Sequence, residues 1–169
     1  MTLKFRQDQI PPSPKCVSLR QLLIIARLLR RQKRRTVFTN GVFDILHVGH
    51  VGYLEAARRL GDSLVVGINS DASVRWLKGP SRPIHNQQSR ARVLAGLSAV
   101  DYVVIFNTKR VTPLLRQLKP RIYVKGGDYT LETLDAEERR TIQSYGGKIR
   151  ILPVWKGHST THTIQKIKG

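Results

Sequence analysis

The sequence predicts an α/β protein: a doubly wound, Rossmann-like parallel sheet of about five strands. Three observations predict it. Strand-like runs recur at residues 36–39, 63–69, 101–106, 121–125 and 148–153, and several are continuous Val/Ile stretches without polar alternation, as in buried parallel strands. Helix-like segments separate them at 49–60, 87–100, 111–119 and 131–145, with a last one at 160–168, and Gly61, Pro120, Gly146 and Gly147 punctuate the ends. The residues with most chemical character fall just after the strands. Open parallel sheets with right-handed crossovers bind their ligands there.

Taken in order, residues 1–17 carry Pro11, Pro12 and Pro14 with few apolar residues and read as a flexible leader. Ser18 is a plausible N-cap for an amphipathic helix to about Lys33. Leu19, Leu22, Ala26 and Leu29 form its apolar stripe, with Arg20, Arg27, Arg31 and Arg34 on the other side, so residues 18–34 are expected to pack on the domain formed by 35–169. The chain has 169 residues, 40% of them apolar, which is enough for one core. Its net charge is +19, and residues 1–40 hold ten Lys/Arg against one acid, Asp8. Such a charge implies anionic partners without choosing among nucleotides, nucleic acid or a membrane surface. The lone cysteine, Cys16, excludes an internal disulfide, is expected to be inert and fits a cytoplasmic setting. Residues 22–26 are too short an apolar run to span a bilayer, and no cleavage pattern of a signal peptide follows them.

The densest motif is Thr39-Asn40-Gly41-Val42-Phe43-Asp44-Ile45-Leu46-His47-Val48-Gly49-His50. It joins the first strand to a helix, so both histidines sit at a helix N-terminus, where unpaired N–H groups and the helix dipole favour anions. Gly49 lets a backbone approach a ligand closely. A pair of surface histidines is the plainer alternative, but the placement at the first βα turn favours phosphate binding. Zinc is disfavoured because structural zinc takes four ligands and His85, His158 and His162 are distant in sequence.

These residues resemble the cytidylyltransferase-like nucleotidyltransferases, with their His-x-Gly-His signature. Further matches are Asn69-Ser70-Asp71-Ala72-Ser73, Leu77-Lys78-Gly79-Pro80-Ser81-Arg82-Pro83-Ile84, Val124-Lys125-Gly126-Gly127-Asp128-Tyr129 and Gly157-His158-Ser159-Thr160-Thr161. In this order they resemble most the bacterial branch that adenylylates a sugar phosphate in ADP-heptose and lipopolysaccharide core synthesis. The resemblance covers about residues 35–168 and implies a nucleotidylyl transferase fold. It also implies attack of a sugar 1-phosphate on the α-phosphate of ATP with loss of pyrophosphate.

By that resemblance His47, His50 and Lys78 are catalytic. Thr39, Asn40, Gly41, Val42, Phe43, Lys125, Gly126, Asp128, Ser159, Thr160 and Thr161 bind the nucleotide with the histidines. Asp44, Asn69, Asp71, Lys78, Arg82 and Arg90 serve the substrates. Asp44 is read as orienting a histidine or substrate group, helping to hold Mg²⁺, or capping a turn. No protein metal site is expected, because Mg²⁺ is held mainly by the triphosphate. Lys78 is read as a mobile cation beyond the second strand, with a solvated surface lysine as the alternative. Arg90, in a helix's first turn, calls for either an anionic ligand or an acidic neighbour. Ser159, Thr160 and Thr161 could equally cap the last helix.

Implied partners are ATP, a sugar 1-phosphate, a separate sugar kinase upstream and a second copy of the chain. No specific nucleic acid is expected, since no stacking aromatics interleave the basic residues. Two features depart from the resemblance: the basic stretch Asn107-Thr108-Lys109-Arg110 and the strongly basic N-terminal helix. A CTP-dependent enzyme acting on glycerol 3-phosphate or a similar alcohol phosphate is the rival within the class. A basic nucleic-acid-binding protein is the rival outside it.

Overall fold

The computed structural model describes residues 13–127 and 129–153. Five parallel strands, β1 (Thr36–Gly41), β2 (Ser63–Asn69), β3 (Tyr102–Phe106), β4 (Ile122–Gly126) and β5 (Lys148–Leu152), form one sheet in the order β3-β2-β1-β4-β5. Among the described residues six helices flank the sheet, the first ahead of β1 and the others between strands: α1 (Leu19–Arg31), α2 (Val48–Arg58), α3 (Asp71–Lys78), α4 (Gln87–Ala95), α5 (Thr112–Leu118) and α6 (Ala136–Ser144).

Side chains of successive strand residues leave on opposite faces. Val37, Leu64, Val66 and Val124 pack with Leu54 and Ala57 of α2 and Ala91 and Leu94 of α4. Phe38, Val65, Val104 and Tyr123 pack on the other face with Leu22 and Ala26 of α1, Leu114 and Leu115 of α5 and Ile142 of α6. Both faces are therefore covered, which is why the strands lack alternation. Fully burying one such Leu is worth roughly 2 kcal/mol.

Ser18 closes a capping box with Gln21 at the start of α1. Leu22, Ala26 and Leu29 are buried as expected, but Leu19 stays exposed. Residues 13–17 differ from the flexible leader expected of them. Cys16 bridges in parallel to Val103, Val17 N donates to Val103 O, and Lys15 Nζ donates to Leu97 O, so this stretch lines the edge of β3. Burial raises the Cys16 thiol above its ordinary pKa, which suits an inert role.

Two helix expectations are also corrected. Residues 71–78 form α3, capped by Ser70, a helix absent from the segments read from the sequence. The segment 131–145 is helical only from Ala136. Asp135 caps it through the amides of Glu137 and Glu138, and Thr130 and Thr133 tie a separate turn before it. The helix expected at 160–168 lies outside the described residues. No helix among the described residues is long and apolar enough to cross a membrane.

Candidate active site

The sheet order reverses at β1, whose neighbours are β2 and β4. β1 pairs with β2 along its whole length to Gly41 but with β4 only as far as Thr39 and Val124. Beyond that point Asn40–Gly41 and Lys125–Gly126 lack a shared ladder, so a crevice opens at their carboxyl ends, the usual ligand position in this architecture. Tyr53 of α2 braces its floor. Its hydroxyl lies 2.6 Å from Thr39 Oγ1 and 3.2 Å from the Val124 carbonyl. Gly126 is required here, because a Cβ would approach the Tyr53 ring to 2.6 Å.

On one wall, β1 runs into the turn that starts α2. Phe43 has φ +48°, a left-handed conformation that costs a non-glycine residue about 1–2 kcal/mol. Its ring lies over Gly41 and 5.3 Å from the His50 ring. His47 is the extended N-cap of α2 and its carbonyl accepts from His50 N. The His47 and His50 rings stack with centroids 3.8 Å apart. Burial, then the neighbouring His47 and the Lys78 ammonium, push the His50 pKa down to about 4. His50 is thus uncharged at neutral pH, with Nδ1 buried and without a hydrogen-bond partner among the described residues. An arriving phosphate would raise that pKa and receive a proton donor.

Lys78 is the last residue of α3, exposed, and followed by Gly79 at φ +91°. It is a helix-terminal residue rather than a loop lysine, and its charge is felt at His50.

On the opposite wall, Lys125 is buried, with Nζ 3.3 Å from Asn40 Oδ1 and 3.7 Å from Glu138, over the rings of Tyr123 and Tyr129. Burial lowers its pKa against the opposing pull of Glu138. The Tyr123 hydroxyl joins this group, 2.8 Å from Asn40 Oδ1 and 2.7 Å from Glu138. Asn40 and Lys125 therefore reach the crevice as parts of a buried network. Tyr53, Tyr123 and Glu138 escaped the sequence reading, because tyrosines in apolar elements look like core. Asp128, Ser159, Thr160 and Thr161 lie outside the described residues.

Five of the six substrate residues read from the sequence, all but Lys78, are engaged with the protein itself. Both Asp44 oxygens accept: from the amides of Ile84 and His85 at 2.8–3.0 Å and from Arg82 at 2.7 Å. Burial would raise this carboxyl, but those three donors outweigh it and hold it below the ordinary range. Asp44 thus staples the 82–85 segment to the β1–α2 turn. Arg82 is held by this ion pair through one of its guanidinium nitrogens.

Arg90 is 2% exposed. It donates to the carbonyls of His85, Val42 and Asn69 and to the Asp71 carboxylate. Of the two explanations for Arg90, the acidic neighbour is the one found, and the side chain is a buried clamp. Asp71 is held in that clamp, and the Asn69 side chain donates to Ser73 Oγ. Among the described residues no three His, Cys, Asp or Glu gather as a metal-holding group.

The cytidylyltransferase-like family model matches residues 38–166, most of the chain. The chain belongs to the cytidylyltransferase-like family. As a cytidylyltransferase-like protein it is a nucleotidyltransferase. The bifunctional protein HldE of Syntrophotalea carbinolica is 52% identical over 150 residues, 89% of this chain and 30% of that one. HldE of Pseudomonas syringae pv. syringae is 49% identical over 153 residues, 90% of this chain and 32% of that one. The chain thus spans about a third of the length of these relatives. The crystal structure of a lipopolysaccharide core biosynthesis protein from Thermoplasma volcanium is 31% identical with a TM-score of 0.61, covering 74% of this chain and 99% of that one. Pantoate-beta-alanine ligase from Francisella tularensis, 16% identical with a TM-score of 0.55 over 90% of this chain and 76% of its own, shares the fold. In this cytidylyltransferase-like chain the histidine pair, Lys78 and the β1/β4 crevice form one contiguous candidate site.

Proposed function

We propose that the chain transfers AMP from ATP to a sugar 1-phosphate, with heptose 1-phosphate the favoured acceptor. The observation that carries this reading is the stacked His47–His50 pair, its His50 uncharged, at the N-terminus of α2, beside Lys78 and at the mouth of the crevice. In the reaction an acceptor phosphate oxygen attacks the α-phosphorus of ATP. The bond to the α,β-bridging oxygen breaks and pyrophosphate leaves. In-line transfer needs little covalent help, so positioning and charge stabilisation carry the catalysis. His50 donates to a phosphate oxygen as charge grows, the first amides of α2 add donors, and Lys78 neutralises the departing oxygens. Asn40 and Lys125 face the nucleoside end from the other wall.

Mg²⁺ bound with the triphosphate would supply charge neutralisation. Asp44 is a poor ligand for it, because both its oxygens already accept hydrogen bonds. The family membership supports nucleotidyl transfer. The HldE relatives and the lipopolysaccharide core protein support an acceptor from heptose metabolism. A sugar kinase must make that acceptor. The relatives are named bifunctional and the chain matches only about a third of them, which leaves room there for a second activity. A cytoplasmic homodimer completes the reading.

Release of pyrophosphate should be followed with ATP, CTP, GTP and UTP, each against heptose 1-phosphate and glycerol 3-phosphate. ATP with heptose 1-phosphate is expected to be fastest. Faster turnover of CTP with glycerol 3-phosphate would transfer the assignment to the alcohol-phosphate enzymes.

A further inference from the structure

A second cavity, of about 420 Å³, lies at the opposite end of the sheet from the histidines. It opens where β1, β4 and β5 begin and where α1, α5 and α6 end. Arg30, Lys33, Arg34, Arg35, Lys119 and Arg121 line it, and the lining contains no acid. Leu118 and Pro120 give it an apolar wall.

Three helix carboxyl ends attract cations, and that effect alone could account for some of this charge. The magnitudes say it does not account for all of it. Each end carries about half a negative charge, so three supply roughly one and a half. Arg35 pairs with Asp62 outside the cavity and Arg34 also feels that carboxylate, so one acid stands against six cations. Arg30 and Arg121 donate to the carbonyls of Leu118 and Gly146, and those bonds position them without neutralising them. Lys33, Arg34 and Lys119 find no side-chain acceptor among the described residues.

Two further observations point to a ligand. Thr36, 5% exposed, lines the cavity with its Oγ1 buried and unpartnered among the described residues. The Tyr145 hydroxyl is in the same condition on the same cavity. Burial raises the Tyr145 phenol, so it remains a donor. Leaving such a group unsatisfied costs about 1–3 kcal/mol. Lys33 and Lys119, moreover, hold left-handed backbone at φ +57° and +47°, at helix ends where glycine or asparagine is cheaper.

We propose that this cavity is a second binding site, for a small phosphorylated molecule carrying at least two negative charges. The cations take the phosphate oxygens, the Thr36 and Tyr145 hydroxyls supply directed hydrogen bonds, and the apolar wall takes the remainder of the ligand. The volume suits a ligand of metabolite size. This site gives a purpose to part of the basic charge that follows α1. It lies away from the histidines and does not depend on the reaction proposed for them.

The test is calorimetric titration of the whole chain with inorganic tripolyphosphate. Two classes of site are expected, one weakened by His50→Ala and the other by Lys33→Gly/Arg34→Ser/Lys119→Gly. Glycine at 33 and 119 accepts the left-handed backbone, so this variant removes charge without straining the fold. The triple change should weaken the second class at least tenfold and leave the first intact. Thr36→Val should weaken the second class three- to tenfold without lowering the denaturation midpoint, because the hydroxyl has no partner within the described protein.

A second class indifferent to the triple change would overturn the proposal. So would one indifferent to Thr36→Val, since that pattern is diffuse surface charge. Phosphatidylglycerol vesicles and single-stranded RNA provide the last arm. If either displaces tripolyphosphate from this cavity at lower phosphate concentration, the occupant is a macromolecular surface and the proposal fails.

Discussion

The His47 and His50 rings stack 3.8 Å apart at the first turn of α2, and His50 is uncharged there. Burial disfavours a charge on His50, and a positive charge on His47 at that distance adds to the bias. His50 therefore waits neutral and gains positive character only when an anion arrives.

The first expectation concerns pH. The folded His50 titrates near 4, below its ordinary 6.5. As pH falls, the unfolded chain takes up this proton near 6.5 and the folded chain only near 4. Stability from this group is thus full above pH 6.5 and is lost as pH falls toward 4. With allowance for solvent screening at a partly exposed ring, the loss is about 1–2 kcal/mol. Urea titrations at pH 7 and pH 4 should show the difference shrinking by that amount in His50→Gln. Proton NMR should find the His50 pKa raised by a unit or more once a triphosphate binds.

Lys78 contributes to the low His50 pKa from an exposed helix end. Lys78→Ala should leave the denaturation midpoint within about 0.5 kcal/mol of the parent, as surface changes do. It should raise the His50 pKa, measured by NMR, and slow pyrophosphate release by about ten- to a hundredfold. A solvated lysine with no role would change neither.

Arg90 joins four acceptors from three stretches of chain in a site that water barely reaches. Arg90→Lys keeps the charge but cannot span them. A loss of about 3–5 kcal/mol in unfolding free energy is expected, the usual cost of breaking a buried ion pair. Chemical denaturation followed by circular dichroism measures it.

Asp44→Asn keeps the shape and removes the charge that holds Arg82. A destabilisation of about 2–4 kcal/mol is expected. The Mg²⁺ concentration for half-maximal pyrophosphate release should stay unchanged, because Asp44 is a staple. A severalfold rise in that concentration would return Asp44 to the metal.

The strands and their order of appearance were legible because five separate apolar runs can be buried on both faces only in a covered sheet. The histidine turn was legible because its two rings and its glycine are close in sequence. α3 was not, because Trp76 and Leu77 on it are exposed and it buries little more than Val74 and Ser73. The roles of Arg90 and Asp44 were hidden for a different reason. An arginine is ordinarily exposed, and the carbonyls that bury this one come from residues 42, 69 and 85, which only the folded chain brings together. The same holds for Lys125, whose partners Asn40 and Glu138 lie on other elements.

The most direct measurement is pyrophosphate release from ATP and heptose 1-phosphate by the parent chain and by His50→Ala, at matched folded fraction. The expected result is turnover by the parent and a fall of about a hundredfold or more in kcat for the variant. Turnover that survives the change nearly unaltered would contradict the account, since the stacked histidines would then not be the groups that stabilise the transferring phosphate.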